Sequence, residues 1–171
     1  MTIHIYVWYP REDAWGHCAM WIEQPTRAAS RYVSWWPRDP TDIAPFECNP
    51  ASARHFYYDW TMEGRLPNRE FVIVNAPTGS PRIDEPAMVR AWDRWMSFDC
   101  YSTFDRNCCT TVARLLRDAG GAAGIDPWEP VTWWGPNDIV EYIHRLGRRI
   151  MVREQAPRLT PGDGPRPTTH I

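Results

Sequence analysis

The sequence predicts an α+β domain, and three observations carry that reading. Apolar residues alternate with a period of two in the first half of the chain and recur at helical spacing in the second half. With 43% hydrophobic residues, a chain of 171 also holds enough apolar surface for one buried core. The expected architecture is a small antiparallel sheet packed against about three helices. It occupies residues 1–154 as one domain, with a Pro/Gly-rich tail over 155–171 expected to be disordered.

The elements follow from the pattern in chain order. Residues 3–9 set Ile3, Ile5, Val7 and Tyr9 against His4, Tyr6 and Trp8, the alternation of a half-buried strand. Residues 15–23 alternate again, with His17, Ala19 and Trp21 on one face and Cys18, Met20 and Ile22 on the other. Residues 31–36 make a third strand, closed by Pro37, and 37–55 read as an irregular excursion rich in Pro, Asp and Asn. Residues 69–74 form a further short strand. Asp84 then suits a helix cap ahead of Met88, Trp92, Trp95 and Met96. Asn107 caps a second helix with an inward stripe of Val112, Leu115, Leu116 and Ala119, and Gly120-Gly121 ends it. Pro136 opens a third helix with Ile139, Ile143 and Leu146 inward, and 148–154 supply a last strand.

Charge and composition exclude several function classes. The net charge of -2 rests on 19 basic residues, every one an arginine, against 21 acidic ones, which is no footprint for a general nucleic-acid binder. The missing lysines are read as base composition. No apolar run is long enough for a membrane span, though contact with a membrane surface stays open. The N-terminal segment has no basic region followed by an apolar one, so cytoplasmic synthesis without a secretory signal is expected. The five cysteines include no CxxC, and Cys48, His55, Cys100 and Cys108 have no zinc-site spacing; neither metal nor cofactor is expected.

Thiol chemistry is the strongest signal. A thiolate is stabilised by the free N–H groups and positive dipole end of a helix N-terminus, where Cys108 directly follows the Asn107 cap. The backbone N–H of Cys108 is then a natural oxyanion donor, with Asn107 as the capping and oxyanion-site residue. A nucleophilic cysteine needs an imidazole within reach, and His17, directly after Gly16 on a strand, is the candidate base. The competing reading makes Cys108 a small core residue and His17 a hydrogen-bonded core histidine. Cys109, one helical step away, is the alternative nucleophile. Ser34 is the candidate third residue, with Asp39, Asp42 and Glu47 as rivals. The doublets Trp35-Trp36 and Trp133-Trp134 are candidate linings of a substrate groove, one member of each expected outside the core.

The ordered segments GHCAMWI, YVSWWP, DEPAM, NCCTTVARLLRDAGG and WGPNDIVEYI, spanning roughly residues 3–146, resemble a circularly permuted papain-like cysteine hydrolase. More narrowly, they are similar to the permuted branch of the NlpC-type endopeptidase superfamily, which includes domains of bacterial secretion effectors and toxins. In that branch the histidine follows a Gly on a strand, and Asn-Cys opens a later helix. The resemblance implies Cys108 as nucleophile and His17 as base; Cys109 departs from the small Ser or Thr expected after the nucleophile. It also implies export as an effector, such as a type VI secretion effector, with peptidoglycan peptides as substrate. An immunity protein or secretion-machinery component is the implied partner. The alternatives are an acyl hydrolase or lysine fatty-acyltransferase and, in another class, a non-catalytic papain-like binding module.

Overall fold

Strand β1 (Thr2–Trp8) lies at the centre of a five-stranded antiparallel sheet of order β3-β2-β1-β6-β7, built with β2 (His17–Ile22), β3 (Arg31–Val33), β6 (Arg69–Val74) and β7 (Met151–Gln155). The computed structural model describes residues 2–39, 48–75, 81–97 and 100–157. The strand alternation falls as the sequence predicts. Ile3, Ile5, Val7, Cys18, Met20 and Ile22 turn to the main core, whereas Tyr6, Trp8 and Ala19 turn to a smaller aromatic cluster on the opposite face. The β1–β2 register sets Trp8 opposite His17 and Val7 opposite Cys18.

Three helices supply the other half of the main core. Helix α1 (Phe56–Glu63) comes first in the chain and lies apart from them; α2 (Glu85–Trp95), α3 (Cys108–Arg114) and α4 (Pro136–Leu146) follow. The Asp84 side chain accepts from the Ala87 N–H at 2.8 Å, and Met88 and Trp92 are buried. Met96 of the expected stripe is exposed, because it caps the helix C-terminus beyond the packed face. After α3 the helix widens into a π-helical turn, Leu115–Ala119, which still buries Leu115 and Leu116. The Asp138 carboxylate accepts from the Gly135 N–H and so caps α4, whose Ile139, Ile143 and Leu146 are fully buried.

Four features depart from the expectation. The single strand over 31–36 is divided at Ser34: β3 stays in the large sheet, while β4 (Trp35–Pro37) pairs with β5 (Ala51–Ala53) in a separate two-stranded sheet. Helix α1 lies where no element was expected. Its start is capped by the His55 ring, which accepts from the Tyr58 N–H, and it stops at Gly64 with φ 63°. Cys48 and Cys100 are joined in a disulfide, which ties the end of the excursion to the segment leading into α3. Strand β7 includes Gln155, so the sheet runs one residue past the expected domain limit. The expected tail beyond residue 157 lies outside the described residues. Among those described, no helix is long and apolar enough to cross a membrane.

Candidate active site

Gly16 fixes the approach to β2. Its φ is +80°, and a Cβ there would sit 2.5 Å from the Trp8 carbonyl oxygen, so only glycine lets the chain turn this closely into the strand. His17 follows at once, 1% exposed, with its ring stacked on Trp36 at 4.4 Å between centroids.

The segment entering and leaving Ser34 supplies the polar surroundings of that ring. Tyr32, Ser34 and Trp36 are alternate residues of an extended chain and therefore share a side, while Val33 and Trp35 turn into the main core. All three donate to one carboxylate. Tyr32 Oη reaches Asp59 Oδ2 at 2.7 Å, and Ser34 Oγ and Trp36 Nε1 each reach Asp59 Oδ1 at 2.7 Å. His17 Nε2 lies 3.2 Å from Ser34 Oγ and 3.4 Å from Asp59 Oδ2. Because the Ser34 hydroxyl donates to Asp59, its lone pairs accept from Nε2–H, giving a chain from imidazole to hydroxyl to carboxylate. Asp59 belongs to α1, is fully buried, and was missed by sequence reasoning. Asp39 is exposed and is not among the partners of His17; Asp42 and Glu47 lie outside the described residues.

Cys108 completes the cluster from the other side. Its thiol lies near enough to His17 for each group to shift the other's titration. With Nε2 committed to Ser34 and Asp59, Nδ1 is the ring nitrogen left for the thiol. Burial alone would lower the His17 pKa, but the Asp59 carboxylate outweighs it, and with Cys108 pushes the imidazole up to about 10. On balance the Cys108 thiol is pushed well above its ordinary value. Its hydrogen bond with Cys109 and its burial push the thiol up, and the nearby charge of His17 pulls it down. Of the two adjacent thiols, Cys108 faces the imidazole. Cys109 Sγ lies 3.9 Å from Cys108 Sγ, and burial is the main force raising its pKa, with Cys18 adding to it.

Asn107 holds the helix start in place. Its Oδ1 accepts from the Thr110 N–H at 2.7 Å, and its amide N–H groups donate to the carbonyls of Thr103 and Trp134 at 2.6 and 3.1 Å. Both amide hydrogens are thus engaged, so the side chain acts as the cap and the backbone N–H of Cys108, at the first helical position, is the donor left for an oxyanion.

The tryptophan doublets each place one ring inside, as alternation requires, and the groove expectation is corrected accordingly. Trp35 is buried, donates to the Cys100 carbonyl and packs on Trp92; Trp134 is buried against Trp128 and Tyr142. These two are core residues, not groove lining. Trp36 covers the His17 ring, and the half-buried Trp133 packs edge-on against Phe104.

Residues 82–162, just under half of the chain, match the family model described as the IcsB middle domain. The matched stretch contains Asn107 and Cys108 but not His17, Ser34 or Asp59. No curated protein and no solved structure matches the chain.

Proposed function

We propose that the chain is a cysteine-nucleophile hydrolase of an amide or acyl bond, built on a permuted papain-like fold. The observation that carries this reading is the buried His17 ring, which meets Ser34 and Asp59 through Nε2 and is electrostatically coupled to the Cys108 thiol. A histidine that is only a satisfied core residue does not need a thiol at a helix N-terminus as its second partner. The chain order, strand-borne histidine before helix-borne cysteine, supports the permuted arrangement.

Each atom has a route through the reaction. Cys108 Sγ attacks the substrate carbonyl carbon while its proton resides on His17, and the oxyanion accepts from the Cys108 backbone N–H. Collapse of the tetrahedral species breaks the bond to the leaving amine or alcohol, which takes the proton from His17 and leaves a thioester. Water then attacks the thioester with His17 as base, releasing the carboxylic acid and restoring the thiol. Asp59 and Ser34 hold the ring in place and stabilise the imidazolium this sequence requires.

For the substrate, the reading is a peptidoglycan peptide, met by an exported bacterial effector or toxin. Two observations favour the exported-effector part of this reading. The Cys48–Cys100 disulfide suits an oxidising compartment outside the bacterial cytoplasm. The matched family model is that of an effector-associated domain. Expression directed to the periplasm is expected to lyse cells, whereas cytoplasmic expression leaves them intact, and Cys108→Ala abolishes the lysis. Lysis that persists in Cys108→Ala would instead support the binding-module reading. Release of fatty acids, or lysine acylation of other proteins, would assign the site to acyl substrates.

A further inference from the structure

A helix at a protein surface ordinarily turns its apolar stripe inward and its charges outward. Helix α1 follows this only at Phe56, which packs on the aromatic cluster, and otherwise does the reverse. Its carboxylates, Asp59 and Glu63, are 0% and 2% exposed, whereas Tyr57, Trp60 and Met62, with Leu66 just beyond the helix, are exposed. The site explains the inward half of this inversion, because Asp59 must reach His17. Nothing in the site requires aromatic and apolar groups on the outside.

The segment that carries this face exposes no acid of its own. Between Ala53 and Asn68 the only acidic residues are the two buried ones, so the segment presents no carboxylate to solvent. Arg54, half-buried with its Nε shielded from solvent, lies at the start of the face with its guanidinium 4.6 Å from the Tyr58 ring centroid. Tyr57 and Trp60 touch edge to face at 5.6 Å, forming one aromatic ridge.

We infer that this face of α1 docks the protein on an anionic lipid bilayer. Tyr and Trp are favoured at the headgroup level, where an apolar ring and a polar tip are both accommodated, and an arginine beside them is attracted by anionic headgroups. A second copy of the chain fits less well, because the α1 segment offers Arg54 no exposed carboxylate of its own to meet across a twofold contact. Docking places the His17–Asp59 pair about one helix diameter, ~10 Å, from the lipid surface. The inference stands on the α1 surface and holds whatever bond the site cleaves.

Co-sedimentation of the full chain with vesicles tests it, using phosphatidylcholine alone and a phosphatidylcholine–phosphatidylserine mixture. The expected result is binding to the mixed vesicles only, weakened by added salt and about fivefold by Arg54→Gln. The double variant Tyr57→Ser, Trp60→Ser is expected to lose binding with an unchanged circular-dichroism spectrum; if it misfolds, Arg54→Gln still decides. Equal binding to both vesicles, no binding to either, or unaltered binding by Arg54→Gln would overturn the inference. A concentration-dependent dimer abolished by the double variant would assign the face to a second copy and likewise overturn it.

Discussion

Asp59 is the residue on which the geometry of the site turns. It gathers donors from Tyr32, Ser34 and Trp36 and stands behind the imidazole, so its charge governs the protonation of His17. Because the folded His17 pKa, about 10, lies above the ordinary value, this pair adds stability that is fully present below about pH 6.5 and is lost as the pH rises through about 10. Asp59→Asn is expected to cost about 3–5 kcal/mol near pH 6, since it leaves a buried group without its charge partner. The cost should shrink toward pH 10, as urea denaturation at the two pH values would show. A pH-independent cost would mean that His17 is not held in its charged form. Sequence reading found Ser34, because a hydroxyl interrupts an apolar strand. It passed over Asp59, whose neighbours Tyr58 and Trp60 give no periodic signal when the acidic face of the helix is the buried one.

The strands show where local pattern suffices. Alternation over 3–9 and 15–23 assigned both faces of β1 and β2, because each side chain meets a continuous buried surface on its own side. The break at Ser34 was not legible, since β3 and β4 are three residues each and the transfer of the chain to β5 depends on partners far along the sequence. Gly16 is the element-level hinge of the site. Gly16→Ala should destabilise the fold by about 1–3 kcal/mol and displace His17, because a Cβ at φ +80° also collides with the Trp8 carbonyl. The check is a thermal melt alongside the rate of Cys108 alkylation. A variant that melts like the parent and reacts at the parent rate would show that the turn does not position the histidine.

For the whole molecule, the disulfide and the sheet together hold two distant stretches against one another. Cys48 and Cys100 are 52 residues apart, and the backbone N–H and carbonyl groups of Asn49 and Tyr101 pair beside the bridge, a few residues ahead of Cys108. Closing a loop of that length contributes about 4 kcal/mol by restricting the unfolded chain. Cys48→Ser with Cys100→Ser is therefore expected to lower the denaturation midpoint by a corresponding amount; an unchanged midpoint would mean the bridge adds no stability. Cysteine arithmetic alone gave an odd thiol and no pairing, because connectivity depends on how the excursion folds back.

The central claim is that His17 activates Cys108 selectively among the free thiols Cys18, Cys108 and Cys109. Timed alkylation with iodoacetamide near neutral pH, read by peptide mass spectrometry, tests it most directly. The account predicts that Cys108 is modified well ahead of Cys18 and Cys109, and that His17→Ala slows its modification by about tenfold for each unit by which the thiol pKa rises. Equal rates at all three thiols, or a Cys108 rate unchanged in His17→Ala, would contradict it.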